Sequence, residues 1–362
     1  AIIRSTKGTR RYERYETENL SYFLYVSYFM IDWLLTHSPL LYFTQSLWRD
    51  EAFSILAAQK PLAEILPKLS FEPPVYYILL HYWINIFGNS EIATRSLSLV
   101  GFALATVVVI IWAEKLFVKH WLSWFTPLFF FLNPLLLYYA FEVRTYGWYI
   151  FFTTLTLYTY WYKRWPLFVV AATLGFYTHS YFLIVPATIF FHWALSSRRL
   201  FATPKKFLAE PLLQSLLLFG LLITPWLIKI SKELGTLKNS WYYPVDTNLI
   251  TSVLGNLFIG YEGTPWYLWG FTKILSVVLL LLFLLALQKK QVRSPNGLFF
   301  LLVFLPLMLV IGVSFIKPIF VNRYVIPVTI AEVFLVVFAL DSIRQKTLRK
   351  LGAITAISFV IL

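Results

Sequence analysis

This chain predicts an all-α protein that crosses a membrane many times. Apolar runs of about 20 residues, the length that spans a bilayer as a helix, recur along it. Of 362 residues, 59% are hydrophobic and only 13% are charged, with a mean hydropathy of +0.69. That is too little charge to cover the surface of a soluble domain. Basic residues gather in alternate loops between the apolar runs, so that the clusters all fall on one side of the membrane, as the positive-inside rule requires.

Taken in order, segment 1–19 is polar and basic and lacks the apolar core and small-residue cleavage site of a signal peptide. Arg4, Lys7, Arg10, Arg11 and Arg14 place it in the cytoplasm. Residues 20–362 then read as a single transmembrane domain. Spans are expected at 20–43, 91–113, 121–140, 146–162, 211–230, 268–287, 298–316 and 323–341, with a last, truncated one at 351–362. The chain begins without Met and stops at Leu362 inside an apolar run, so it reads as a fragment. Stretch 166–196 is interrupted by Gly175, Thr178-His179-Ser180 and Pro186. Lys163 and Arg164 precede it and Arg198, Arg199, Lys205 and Lys206 follow it, so both flanks lie inside and the stretch must cross an even number of times. Two short helices meeting at Tyr177-Thr178-His179-Ser180 satisfy this, which gives about eleven spans.

The external side carries two long loops, 44–90 and 231–267. In the first, 51–59 and 61–66 have the pattern of short interfacial helices. Residues 75–87 are apolar but too short to cross, so they run along or dip into the membrane.

Charge-derived topology brings Asp50, Glu51, Glu72, Glu142, Arg144, His179 and Arg323 to one face. Each also has a plain explanation. Asp50 can cap the helix that follows it; Glu72, before Pro73-Pro74, can be a solvated loop acid; Glu142 and Arg144 can form a local ion pair. His179 can be a satisfied structural residue, and Arg323 can snorkel to the interface. Together they suit a different task. Carboxylates at a bilayer edge are costly unless used, and can deprotonate a hydroxyl or hold a divalent cation. Arginine's planar fork of donors matches a phosphate. External arginines and the external Lys317 also run against the positive-inside bias.

Other classes are excluded. The net charge of +14 is accounted for by cytoplasmic clusters, so nucleic acid is not an expected partner. With no cysteine, the chain has no disulfide and no thiolate metal site.

Several motifs occur in one order. They are Ser46-Leu47-Trp48-Arg49-Asp50-Glu51-Ala52-Phe53-Ser54, the Pro-Pro-Val-Tyr-Tyr run, and Phe87-Gly88-Asn89-Ser90-Glu91 through Arg95-Ser96-Leu97-Ser98. Later come Tyr139-Ala140-Phe141-Glu142-Val143-Arg144-Thr145-Tyr146, Tyr177-Thr178-His179-Ser180-Tyr181 and Asn322-Arg323-Tyr324-Val325-Ile326-Pro327. From about residue 46 to 330 this resembles bacterial GT-C-fold glycosyltransferases of the protein-O-mannosyltransferase-like and aminoarabinose-transferase-like superfamily. The later motifs are similar to its Y-S-x-E-A-R-x-Y, Y-T-H-Y and R-Y-L-L-P stretches. Two departures stand out: Leu69-Ser70-Phe71 lies where the family often has an Asp, and Phe141 replaces a polar residue.

The resemblance implies a transferase that moves a hexosyl or pentosyl group from a polyprenyl-phosphate carrier to an extracytoplasmic hydroxyl on a glycan, lipid or protein. Asp50, Glu51 and Glu72 are then the expected catalytic acids. Glu142, Arg144, Tyr146, His179, Arg323 and Tyr324 are expected to bind the donor. A magnesium or manganese ion at Asp50 and Glu72 is the expected cofactor, if there is one. The expected location is the bacterial cytoplasmic membrane, with the site facing outward. The alternative is a flippase for polyprenyl-linked sugars, which would need polar residues through the bilayer depth and related halves. The spans are nearly charge-free apart from Asp32, Glu210 and Glu332, and no repeat is visible.

Overall fold

A computed structural model describes residues 39–69, 71–197, 209–233, 245–260, 266–287 and 294–361. It divides the chain into two compact units, Ala1–Leu47 and Trp48–Leu362. Described residues of the first unit form one tight turn, Pro39–Phe43, in which the Thr44 hydroxyl donates to the Leu41 carbonyl at 2.9 Å. The expected segment 1–19, and the expected first span up to residue 38, lie outside the described residues.

The second unit is all-helical among its described residues, with fifteen α-helices and no strand. It opens with α1 (Arg49–Ala58) and α2 (Leu62–Lys68), the two short helices expected in the first external loop, and α3 (Val75–Phe87), which takes up the apolar stretch too short to cross. Then comes α4 (Glu91–Leu116), a long apolar helix with Ser90 as N-cap, whose hydroxyl accepts from the Ala93 amide.

Next are α5 (Leu122–Phe131) and α6 (Pro134–Ala140), bent by 54°. Pro134 cannot continue the α5 hydrogen-bond ladder, and Asn133 caps α6 by accepting from the Leu136 amide. Helix α7 (Tyr146–Trp161) is followed by α8 (Trp165–Phe176) and α9 (Ile184–Ser196), with a 3-10 turn, Ser180–Leu183, between the last two. The pair α8 and α9 matches the two short helices expected across 166–196.

The chain continues with α10 (Pro211–Glu233), α11 (Thr247–Ile259), α12 (Trp269–Leu287) and α13 (Pro295–Ser314). Another 3-10 turn, Asn322–Val325, leads into α14 (Ile326–Ser342), and α15 (Lys346–Ile361) ends the described chain.

Helix α14 is the hub, with every residue from Ile326 to Leu340 buried. Its Phe334 stacks on Phe299 of α13 at 4.3 Å between ring centroids, and packs at a tilt against Trp112 of α4 at 5.2 Å. Helices α4 and α7 approach so closely that a Cβ added at Gly101 would lie 2.8 Å from the Gly147 carbonyl carbon, and one at Gly147 would collide with the Ser98 carbonyl oxygen. Small residues permit this approach, as in membrane helix pairs generally.

Five described helices are long and apolar enough to cross a bilayer, or six with α5–α6 as one broken span. The expected pair across 166–196 is present as two shorter apolar helices, while the expected spans 146–162 and 351–362 correspond to the 16-residue helices α7 and α15. One helix was not expected. Residues 231–267 read as a loop, yet α11 occupies their middle, close-packed at Gly255 against Thr272 of α12. It is tied by Asn133 Nδ2 to the Phe258 carbonyl at 2.8 Å and by the Thr329 hydroxyl to the Leu257 carbonyl at 2.9 Å. Thirteen residues punctuated by Thr, Asn and Ser are too short and polar to signal a span, and tertiary packing decides their conformation.

Candidate active site at one end of the bundle

The site is assembled where α1, the 71–74 loop, the 141–145 turn between α6 and α7, the 177–180 turn and the 3-10 turn before α14 converge. Trp48, extended, precedes α1, and Glu51 reaches back from the first turn to accept the Trp48 amide at 3.3 Å. This is the reciprocal half of a capping box. Glu51, not Asp50, therefore does the capping, which leaves Asp50 to face the cleft with a quarter of its side chain exposed.

Glu51 is sealed in. Its side chain is 1% exposed and takes a bidentate grip from Arg95 of α4, Nε at 3.0 Å and Nη2 at 2.7 Å. The same carboxylate accepts the Val143 amide at 3.0 Å. With its lone pairs engaged this way, Glu51 anchors the 141–145 turn to α1 and α4, a positioning arrangement rather than one that presents it to a substrate.

Arg144 is held in that turn from two sides. The Ser98 hydroxyl donates to its carbonyl at 3.0 Å and pairs with the Tyr76 hydroxyl at 2.9 Å. Its guanidinium donates to Glu72, Nη2 to Oε1 at 2.7 Å, with longer contacts of 3.4 Å from Nη1 to Glu72 Oε2, Ser54 and Tyr77. Its Nε is buried without a partner among the described residues. The local Glu142–Arg144 ion pair suggested by the sequence is thus replaced. Those two residues share only a backbone bond, the Arg144 amide to the Glu142 carbonyl at 2.7 Å. Glu72, a third exposed, offers Arg144 both its oxygens, the fork-to-fork geometry that guanidinium prefers.

Glu72 is placed by the stitching of its loop. The Val75 amide donates to the Tyr177 carbonyl at 2.9 Å, and the Ser180 hydroxyl to the Phe71 carbonyl at 3.3 Å. Pro73 and Pro74 are both buried and stiffen the turn into α3. Arg323, from the turn before α14, lies 4.0 Å from the Asp50 carboxylate and sits over the rings of Trp48 and Tyr324 at 5.8 and 5.6 Å.

His179 closes the floor. Its ring lies parallel to Tyr149 at 4.6 Å and contacts Tyr324 at 5.2 Å and Tyr146 at 5.9 Å. Its Nδ1 accepts the Tyr181 amide at 3.3 Å, which assigns the proton of a neutral ring to Nε2. Burial, then the positive charges of Arg144 and Arg323, push its pKa down to about 3, so the ring stays neutral.

Glu142 is 8% exposed, and its Oε2 is buried with no hydrogen-bond partner among the described residues. Burial pushes its pKa up to about 8; Arg323 and Arg144 oppose this, while Glu51 and Asp50 add to it.

All nine residues singled out from the sequence therefore lie in one connected cluster of side chains. Missed by sequence reasoning were Arg95, Ser98, Tyr76, Tyr77 and Gly147, which build the turn without facing the opening. Arg95 is a buried arginine inside a long apolar helix, and that anomaly alone could have marked it. The two acids expected to share a cation, Asp50 and Glu72, each face a guanidinium instead. No group of three or more His, Cys, Asp or Glu side chains suited to a metal occurs among the described residues. As arranged, the side chains do not offer a divalent ion a ligand set.

Neither a scan of family models nor a search of curated proteins matches the chain. Solved structures do. The crystal structure of ArnT from Cupriavidus metallidurans in the apo state superposes with a TM-score of 0.62 at 14% identity, over 95% of this chain and 63% of ArnT. The same enzyme bound to undecaprenyl phosphate gives 0.61 at 13% identity, over 93% and 62%. The chain thus spans less than two thirds of ArnT's length. ArnT is an aminoarabinose transferase of the GT-C fold, and that membrane-embedded fold, expected from the sequence motifs, is the one this chain adopts.

Proposed function

We propose that the protein is a glycosyltransferase that takes a sugar from a polyprenyl-phosphate carrier and passes it to a hydroxyl acceptor on the outer side of the membrane. One observation carries this: Arg144 and Arg323 sit in a single cluster with Asp50, Glu72 and Glu142, at the edge of an apolar bundle. A lipid-borne phosphate needs guanidinium groups within reach of the bilayer, and sugar transfer needs a carboxylate beside them. The fold shared with ArnT, which has been seen with undecaprenyl phosphate bound, agrees with this reading.

In this mechanism the donor phosphate enters sideways from lipid and displaces Glu72 from Arg144 and Asp50 from Arg323. The acids keep the buried arginines paired until the donor arrives, because an unpaired buried charge is costly. Once released, Asp50 takes the proton of the acceptor hydroxyl as its oxygen attacks the anomeric carbon. The bond from that carbon to the phosphate oxygen breaks, and the arginines stabilise the charge that grows on the leaving phosphate. Two guanidinium groups supply the charge a cation would otherwise provide, so EDTA is expected to leave turnover unchanged. Loss of turnover on chelation, restored by magnesium or manganese, would show that a metal is required.

Purified protein incubated with polyprenyl phosphate carrying a labelled sugar tests the reading. Carrier phosphate released together with labelled acceptor supports transfer, whereas movement of intact donor across a vesicle would mean a flippase. Replacing Asp50 by Asn is expected to cost a factor of about 100 to 10,000 in turnover with the fold intact. Undiminished transfer by that variant would remove Asp50 from the chemistry.

A further inference from the structure

The four carboxylates of the cleft are not equivalent. Glu51 is gripped by Arg95, Glu72 by Arg144, and Asp50 faces Arg323. Each of these three offers its carboxylate to an arginine that is itself largely buried. Glu142 differs: it is buried, and its Oε2 lacks a hydrogen-bond partner among the described residues. A buried carboxyl with an oxygen left unpartnered is most stable as the neutral acid, a hydrogen-bond donor. It also lies in the turn that carries Arg144, within electrostatic reach of Arg323.

We infer that Glu142 works as the protonated acid of the site, donating its carboxyl proton to the phosphate oxygen that leaves the sugar. Resting on the transferase reading above, this divides the work between two acids in the way that pairs with contrasting environments allow. Asp50, released from Arg323 by the donor phosphate, removes the proton of the acceptor hydroxyl. As the bond between the anomeric carbon and the phosphate oxygen breaks, its electron pair stays on that oxygen, which receives the Glu142 proton. The turnover closes when the proton on Asp50 returns to Glu142, so no other reactant is needed. The groups that set the protonation of Glu142 surround it. They are Asp50 and Glu51 from α1, Arg144 in its own turn, Arg323 before α14, and the phenols of Tyr76, Tyr139 and Tyr146 from α3, α6 and α7.

The sign follows from the protonated form being the active one. Turnover should fall as pH rises through about 8, because ionised Glu142 can no longer donate and repels the phosphate. The test compares the wild-type protein with Glu142→Gln and Glu142→Ala from pH 7 to 9.5. It reads both transfer from labelled donor and binding of undecaprenyl phosphate itself in detergent, over a range where the phosphate monoester has already lost its second proton. Wild type should lose up to about tenfold per pH unit above 8, the limit for a single ionisation. Glu142→Gln keeps a donor but cannot transfer a proton. It should therefore be about a hundredfold slower at pH 7, with the alkaline fall gone from both readouts. Glu142→Ala should bind undecaprenyl phosphate more weakly than wild type at pH 7, where Glu142 donates, and should show no alkaline fall, with a thermal melt reporting whether it folds.

An alkaline fall that persists unchanged in Glu142→Gln, or turnover that rises through pH 8 in wild type, overturns the assignment while leaving the transferase intact. Should wild type transfer no sugar at any pH, the transferase reading fails instead. The pH dependence of undecaprenyl phosphate binding then decides the role of Glu142 by itself, and equal curves for wild type and Glu142→Gln refute it.

Discussion

The Asp50-Glu51 dipeptide shows how one helical turn separates chemistry from support. The two side chains leave α1 about 100° apart, so one can face the cleft while the other is buried against α4. Glu51 then holds Arg95 and the Val143 amide, while Asp50 stays a quarter exposed beside Arg323. Replacing Glu51 by Gln removes one charge from a buried pair and leaves Arg95 uncompensated. The expected cost is about 3–5 kcal/mol of stability, read by thermal or denaturant unfolding in detergent. Glu72→Gln should cost much less, since its carboxylate is a third exposed and its loss is screened. A Glu51→Gln variant as stable as wild type would mean that the Arg95 pair does not anchor the site.

At the scale of elements, the site is exact only because two long helices touch backbone to backbone. Gly101 and Gly147 let α4 and α7 close to a distance at which Ser98 reaches the Arg144 carbonyl. A methyl group at position 147 would strike the Ser98 carbonyl, so Gly147→Ala must spread the helices and displace the turn that bears Glu142 and Arg144. Overpacking of this kind costs about 1–3 kcal/mol. Activity is expected to fall further than stability suggests, although residue 147 has no side chain to touch a substrate. Gly220 on α10 has open space around it, and Gly220→Ala is the matched control, expected to change neither. If the two variants behaved alike, close helix approach would not be what positions the turn.

Across the whole molecule, what the sequence made legible was set by the range of the forces involved. Apolar runs announce helices because the bilayer acts on each one separately, and α4, α10, α12 and α13 came out close to their expected bounds. Helix α11 was hidden because its partners, Asn133 and Thr329, lie far away in the chain. The site residues could be grouped by side of the membrane, which needs only charge alternation. Their pairing could not, since Glu51 meets Arg95 across 44 positions and Arg144 meets Glu72 across 72.

The helix bundle has two distinct ends. Arg323 begins the helix whose other end brings Phe338 against Phe117, close in sequence to His120, which Arg349 contacts at 2.9 Å. Lys115, Lys119, Arg344, Lys346 and Lys350 belong to that second end, where the positive-inside rule puts the cytoplasm. The absence of native cysteine makes this directly measurable. Lys60, exposed just after α1, and Lys346, exposed at the start of α15, can each be replaced by a single cysteine. In intact cells a membrane-impermeant maleimide should label Lys60→Cys at once and Lys346→Cys only after permeabilisation. The reverse pattern would turn the cleft toward the cytoplasm, where a hydroxyl acceptor outside the cell could never reach Asp50.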